Sequence, residues 1–318
     1  MLTSFAILFL GLAALVWSAD RFVFGAAALA KNFGVPSLII GLTIVAMGSS
    51  APEMMVAAQA ALAGKTDTAV GNVVGSNITN VLLVLGATAL IRPLTVSSGI
   101  LKREMPILII VSLSAWYIFR DNYFSFNEAI ALMIGFVMFI LGLIYITKNN
   151  TDNEDPLVSE TCDEIPEGVK TSKAVFWLII GMIMLPVSSG YLVDAAVDIA
   201  KYFGMSDLLI GLTIIAIGTS LPELAASIAG AMKKEDDLAL GNIIGSNIFN
   251  ILAVLSIGGF IHPATIDSAV SSRDIYVMLA TALILVVMSL NIKGMRRINR
   301  LEGGVLVAAF FAYLYFII

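Results

Sequence analysis

Two segments of this chain, 170 positions apart, carry the same pattern. The run from Gly41-Leu42-Thr43-Ile44 to Gly48-Ser49-Ser50-Ala51-Pro52-Glu53 aligns with the run from Gly211-Leu212-Thr213-Ile214 to Gly218-Thr219-Ser220-Leu221-Pro222-Glu223. Further on, Gly71-Asn72-Val73-Val74-Gly75-Ser76-Asn77-Ile78-Thr79-Asn80 aligns with Gly241-Asn242-Ile243-Ile244-Gly245-Ser246-Asn247-Ile248-Phe249-Asn250. The offset of 170 holds without a gap from Lys31/Lys201 to Arg103/Arg273. Both halves must therefore fold on one plan, and the plan must suit both.

That plan is set by lipid. The 318 residues are 59% hydrophobic and 13% charged, with a mean hydropathy of +0.96. Soluble chains carry about 25% charged residues, so this one is not a cytosolic enzyme, a nucleic-acid binder or a disordered protein. At ~20 residues per span there is room for roughly ten crossings. Apolar runs fall at 2–31, 36–63, 68–91, 104–120, 125–147, 173–201, 207–232, 238–261, 274–292 and 303–318. All are expected to be helices, because nothing in lipid satisfies an open backbone. The first run lacks a basic leader and reads as a retained span.

Each repeat holds five spans. An odd number makes the second copy enter the membrane from the opposite side, which is the inverted-repeat plan of many secondary transporters. The expected fold is an all-α polytopic membrane protein of ten transmembrane helices arranged as two inverted five-helix repeats. Its parts are residues 1–147, an acidic linker over 148–172, and residues 173–318. Thirteen of the 18 basic residues lie on the side reached after odd-numbered spans: Lys31, Arg92, Lys102, Arg103, Lys148, Lys170, Lys173, Lys233, Lys234, Lys293, Arg296, Arg297 and Arg300. Four (Lys65, Arg120, Lys201, Arg273) lie on the other side, and Arg21 is inside the first span. The positive-inside rule then makes the linker cytoplasmic and puts both termini outside.

Glu53 and Glu223 are mid-span acids with no Lys or Arg near the centres of their own or neighbouring motif spans. A carboxylate there costs at least ~3 kcal/mol on insertion scales and marks function by default. Pro52 and Pro222 disrupt the preceding turn, next to Gly48 and Gly218, so the carbonyls of Ala46 and Ala216 are candidates to turn inward. Ser49 and Thr219 sit four residues before the acids, on the same helix face. Asn72, Ser76 and Asn80 form an i, i+4, i+8 stripe, matched by Asn242, Ser246 and Asn250. Ser76, Asn80, Ser246 and Asn250 are expected to face the site. Asn72, Asn77, Asn242 and Asn247 fit either a ligand role or hydrogen bonding between helices. One His (His262) and one Cys (Cys162) exclude imidazole clusters and Cys-rich metal sites. The donors are all oxygens, which suits hard cations such as Ca²⁺. Two carboxylates balance one Ca²⁺, two Na⁺ or two H⁺.

The doubled Gly-[Ser/Thr]-Ser-x-Pro-Glu and Gly-Asn-x-x-Gly-Ser-Asn-x-x-Asn motifs resemble the α-repeats of the Ca²⁺:cation antiporter superfamily, and most of all the prokaryotic sodium/calcium exchanger family. The resemblance implies Ca²⁺ at Glu53 and Glu223, with Na⁺ sites using Ser49, Ser50, Ser76, Thr219, Ser220 and Ser246. It also implies that spans 1 and 6 slide past an eight-helix core. One departure stands out: family members often carry an acid at one of the positions matching Asn80 and Asn250, and here both are Asn.

The expected activity is Ca²⁺ export against Na⁺ by alternating access, in a multi-pass protein of a bacterial inner membrane or archaeal cell membrane, working as a monomer without cofactor. A Ca²⁺/H⁺ or K⁺-coupled exchanger is the alternative. An intramembrane hydrolase would need a Ser-His, metal or paired-Asp site, and a passive channel is usually a symmetric oligomer. Asp194 and Asp198 read as an interfacial pair, and Asp20 and Arg21 as a helix-end anchor. His262 and Cys162 are given no role. The charge count makes a topology prediction: a reporter fused at Glu160 reports from the cytoplasm, and an external signal from a normally inserted fusion would reject the inverted assignment.

Overall fold

The computed structural model describes residues 2–34, 48, 50–96, 100–149, 168–233, 236–290 and 297–317. Within these, α1 (Leu2–Asn32), α2 (Ala51–Leu62), α3 (Thr66–Ile91), α4 (Met105–Phe119) and α5 (Phe126–Asn149) belong to the first copy. The second copy contains α6 (Thr171–Phe203), α7 (207–219), α8 (Leu221–Lys233), α9 (236–261), α10 (Ile275–Ser289) and α11 (Arg300–Ile317). Eight described helices are long and apolar enough to cross a membrane, α7 and α8 together making one of them. The chain is a multi-pass membrane protein. The expected span over 36–63 lies partly outside the described residues, as do Ala46, Ser49, Cys162 and most of the linker.

Burial sorts the helices. In α3 and over Ala239–Ile261 of α9, 78% and 83% of the apolar window is buried inside the protein, against 17% over Phe126–Tyr145 of α5. The two helices bearing the Gly-Asn-x-x-Gly-Ser-Asn motif are thus the centre, and α5 faces outward. Missing side chains let backbones touch there. A Cβ on Gly71 would sit 2.6 Å from the Leu208 carbonyl oxygen, and one on Gly211 2.5 Å from that of Thr68. α3 and α7 therefore cross at backbone contact, as small residues allow in membrane bundles. α1 lies along α6 in the same manner: a Cβ on Gly25 would meet the Ala174 carbonyl at 2.7 Å, and one on Gly181 would meet Phe22 Cα at 2.6 Å. Trp17 and Trp177 stack edge to face along this seam, 6.0 Å between centroids.

Four π-helical turns come as two matched pairs: Asn80–Leu85 with Asn250–Val254, and Ile100–Glu104 with Val270–Asp274. Another spans Gly211–Ile215. A π turn adds a residue without ending the helix and shifts the face presented beyond it; such turns cluster at functional sites. Asn80 and Asn250 each open one.

Helix ends are capped and tied. Ser125 and Glu128 form a reciprocal box at the start of α5: Ser125 N–H donates to Glu128 Oε2 at 2.9 Å, and Glu128 N–H to Ser125 Oγ at 3.2 Å. Asn299 and Glu302 do the same for α11. Both follow the capping-box spacing. Short antiparallel pairs join Leu94–Thr95 to Arg297–Ile298 and Tyr123–Phe124 to Ala264–Thr265. Ion pairs Lys65–Asp207 (2.7 Å) and Arg92–Asp236 (2.6 Å) cross between copies.

The backbone contact at Gly211 makes a stability prediction. Gly211→Ala places a methyl against backbone atoms that cannot rotate away, and overpacking of this kind costs about 1–3 kcal/mol. Gly142, which has nothing within 4 Å of its Cβ position, tolerates the same change. Melting of the purified variants in detergent checks both; equal melting temperatures would mean that the α3–α7 crossing is loose.

Candidate functional site

Each acid sits at the same place in a broken helix. Ser50 and Ser220 leave helical geometry at φ −88°, ψ 6° and φ −83°, ψ 1°. A new helix starts at once: Met54 N–H bonds Ser50 O at 3.0 Å and Leu224 N–H bonds Ser220 O at 3.1 Å. Pro52 and Pro222 fall at the second helical position, where a missing N–H costs little. Glu53 and Glu223 follow at the third, in the positive first turn that favours an anion. Both are wholly buried.

Among the described residues, neither carboxylate has a hydrogen-bond partner. Thr219 stands beside Glu53 and Ser246 beside Glu223, without making a bond of acceptable geometry. The same is true of a wider set. The buried oxygens without a partner include Ser50 Oγ, both Glu53 oxygens, Ser76 Oγ and Asn80 Oδ1, and also Ser220 Oγ, both Glu223 oxygens, Ser246 Oγ and Asn250 Oδ1. Every member has its counterpart 170 positions away. Buried polar atoms are almost always bonded, so a matched set of exceptions needs a cause. Thr79 and Ser189 also carry unpartnered hydroxyls, but Phe249 and Ala19 occupy the matching positions.

A chain of amides sets the aim of Asn80 and Asn250. Asn77 Nδ2 donates to the backbone carbonyl of Asn247 at 3.2 Å, and Asn247 Nδ2 donates to that of Asn77 at 3.4 Å. A carbonyl only accepts, so both amides must turn their NH₂ groups outward to it. Their own oxygens are left to accept from Asn250 Nδ2 (3.2 Å) and Asn80 Nδ2 (3.0 Å). The last oxygens in the chain, Oδ1 of Asn80 and Asn250, are the ones without partners. Asn72 and Asn242 hold the acids' own backbone, each donating to the Glu53 or Glu223 carbonyl at 3.4 Å. The four amides with two possible roles are therefore helix-bonding groups.

Four sequence candidates differ from the rest. Thr219 Oγ1 donates to the Ile215 carbonyl at 3.1 Å and lies 3.4 Å from Asn72 Oδ1. The Ala216 carbonyl keeps a helical bond from Ser220 N–H at 3.1 Å, so it offers only its second lone pair. Ser49, like Ala46, lies outside the described residues. Sequence reasoning missed the π turns at Asn80 and Asn250 and the partner of His262, whose Nδ1 lies 2.9 Å from Thr66 Oγ1. Asp194 and Asp198 are exposed on α6, and Asp20 pairs with Arg21.

Fold and site together define a multi-pass membrane protein with a pair of acids and neutral oxygens at its centre; no cluster of three His, Cys, Asp or Glu side chains occurs among the described residues. The family model described as sodium/calcium exchanger protein matches residues 3–146 and 173–318. The chain is 55% identical over 315 residues, 99% of its length and 98% of the relative's, to a putative antiporter, CaxA, of Alkalimonas amylolytica. It is 32% identical to the sodium/calcium exchanger MaX1 of Methanosarcina acetivorans, covering 98% of this chain and 97% of that one. A solved structure of the sodium-calcium exchanger NCX_Mj, soaked with Na⁺ and Sr²⁺, superposes with a TM-score of 0.65 at 29% identity over 99% of this chain and 98% of that one. The chain belongs to the sodium/calcium exchanger family of the Ca²⁺:cation antiporters.

The amide chain can be tested apart from transport. Asn247→Ala removes the acceptor for the Asn80 amide and the donor to the Asn77 carbonyl. Leaving such groups unpaired costs about 1–3 kcal/mol, so the variant melts lower in detergent. A Ca²⁺-induced rise in melting temperature should also shrink. A variant that melts like the parent and keeps the full Ca²⁺ response would show that Asn247 does not aim Asn80.

Proposed function

We propose that this chain is a secondary active antiporter that exchanges Ca²⁺ for Na⁺ by alternating access. The observation that carries the reading is the matched set of buried, unpartnered oxygens around Glu53 and Glu223. Its two carboxylates with neutral Asn and Ser oxygens suit a hard cation of coordination number six to eight. Glu53, Glu223, Asn80 and Asn250 hold Ca²⁺. Na⁺ takes sites built from Ser49, Ser50, Ser76, Thr219, Ser220 and Ser246, with the carbonyls of Ala46 and Ala216 in support. Na⁺ as the counter-ion is favoured by MaX1 and NCX_Mj, both described as sodium/calcium exchangers. A second reading, Ca²⁺/H⁺ exchange, is favoured by the same two carboxylates, each of which can carry one proton.

The architecture that goes with this is ten spans in two inverted repeats, residues 1–147 and 173–318, joined by a cytoplasmic linker at 148–172, with both termini outside. Reciprocal bonds between Asn77 and Asn247, which are equivalent positions, support a two-fold relation between the copies. An in-plane axis of that kind is what inverted repeats produce. In this proposal Met105–Phe119 and the span expected over 36–63 count as the two further crossings. α1 and α6, paired along their length and otherwise outward-facing, are the mobile pair, and one chain suffices for transport.

Glu53→Gln or Glu223→Gln removes one of two central charges. Losing one partner of a buried charge set costs about 3–5 kcal/mol, so ⁴⁵Ca²⁺ uptake into proteoliposomes is expected to fall by about a hundredfold or more while insertion is unchanged. Glu128→Gln keeps both bonds of its capping box, since Gln serves as well as Glu there, and transports normally. Imposing Na⁺, K⁺ and H⁺ gradients one at a time identifies the counter-ion. Undiminished Ca²⁺ flux in either central variant would place the site elsewhere.

A further inference from the structure

Ser189 of α6 is wholly buried, and its hydroxyl has no hydrogen-bond partner among the described residues. A serine inside an apolar helix can return its hydroxyl to the carbonyl four residues back. Ser18 and Ser188, which are equivalent positions, both do so: Ser18 Oγ donates to the Ala14 carbonyl and Ser188 Oγ to that of Met184. Ser189 has the same option at Leu185 and leaves it unused. Its own equivalent in α1 is Ala19, so this oxygen exists in one copy only. The neighbours of α6 fix the face that carries it. α1 lies against Ser188 and Leu192, where a Cβ on Gly11 would be 3.5 Å from the Ser188 carbonyl oxygen and from Leu192 Cα. Val187, Tyr191, Asp194 and Asp198 form an exposed stripe. At ~100° per residue, Ser189 falls roughly opposite that stripe, on the buried flank beyond α1, with Val193 and Ala196. There α6 packs on α2, which starts at the break after Ser50. Lys65 and Asp207, paired at 2.7 Å just beyond the ends of α2 and α6, hold those ends at one height. Counting back at 1.5 Å per residue, Ser50 is ~18 Å from the end of α2 and Ser189 ~21 Å from the end of α6. Ser189 therefore comes level with Ser50, whose hydroxyl is likewise buried without a partner, about one turn from Glu53.

We propose that Ser189 is a further ion ligand, its hydroxyl completing the Na⁺ site at Ser50. The inference rests on the antiporter reading above and adds to that site an oxygen carried by α6. A hydroxyl that forgoes its helix bond in a dry seam is costly unless something else takes its lone pair, and a hard cation does so. The Ser220 side has Ala19 at the matching place and no such oxygen, so the two Na⁺ sites are unequal although their motifs are the same. Ca²⁺, held between the two carboxylates, does not use it. α6 belongs to the mobile pair of that reading, so the ligand leaves with the helix. The Ser50 site is then complete only while α6 is docked on α2.

The test uses the whole chain in proteoliposomes, with Ser189→Ala and Ser189→Cys beside the parent. Cys keeps the size of the side chain and replaces a hard oxygen by a soft sulfur. ⁴⁵Ca²⁺/Ca²⁺ self-exchange, which needs no Na⁺, is measured against Ca²⁺ concentration. Na⁺-driven ⁴⁵Ca²⁺ flux is measured against Na⁺ concentration. Loss of one neutral oxygen contact is worth about three- to tenfold. The expected result is a rise of that size in the half-saturating Na⁺ concentration of both variants, with the half-saturating Ca²⁺ of self-exchange unchanged. An unaltered Na⁺ dependence in Ser189→Ala, a Ser189→Cys protein that behaves like the parent, or equal losses in both assays would make Ser189 a packing residue. Each of these would overturn the ligand role and leave the antiporter reading standing. A parent protein with no Ca²⁺ self-exchange, or with no response to Na⁺, would overturn the Na⁺-exchanger reading and this inference with it.

Discussion

The centre of this protein depends on a rule about carbonyls: they accept and never donate. Asn77 and Asn247 each face the backbone carbonyl of the other, and that single constraint propagates. It fixes both amides, which fix Asn80 and Asn250, whose oxygens then have nowhere to point but inward. Four side chains are oriented by two backbone atoms. The arrangement also clamps α3 to α9, the most buried pair of helices, so the alignment of oxygens and the packing of the core are one structural feature. A clamp made of reciprocal bonds between equivalent residues requires a duplicated sequence. Each copy supplies the half-network that the other completes.

The helix breaks act alongside the clamp. Pro at the second position and Ser at the cap let a new helix begin in mid-span, and the carboxylate rides on its first turn. Asn72 and Asn242 bond the carbonyls of the acids themselves, tying α2 to α3 and α8 to α9. The acid, the amide stripe and the break therefore cannot move independently.

Much of this was legible in the sequence because the pattern occurs twice. One Pro-Glu in an apolar run reads as a kink; two at a constant offset, each followed by the same Asn stripe, read as a site. The helical period placed Ser76 and Asn80 on one face, and each carries a buried oxygen without a partner among the described residues. The same period could not separate Asn77 from Asn80, since the difference lies in which group faces a carbonyl on another helix. The π turns were hidden for a related reason. Asn80–Leu85 and Asn250–Val254 are ordinary helix-forming residues, and the extra residue per turn answers to tertiary packing. Ala216 was legible only as a position beside a kink. Its carbonyl keeps its helical bond because the break falls later, at Ser220. The cap of α5 did leave a readable signal: Ser125 and Glu128 stand at the Ser-x-x-Glu spacing of a capping box, which reading the chain for apolar runs alone passes over.

The two copies share a sequence pattern yet are not packed alike, and α1 and α6 carry the difference. A Cβ on Gly48 would meet Val23, and one on Gly218 would meet Leu12. Both neighbours belong to α1. Strict equivalence would have Val193 cover Gly218 and Met182 cover Gly48, but Met182 is 57% exposed. α1 therefore lies over both glycine turns. Two such packings, related by exchanging the roles of α1 and α6, use the same motif residues and so differ little in contact energy. On the exchanger reading, that near-equality is what internal duplication provides: a site whose two access states are built from one set of interactions.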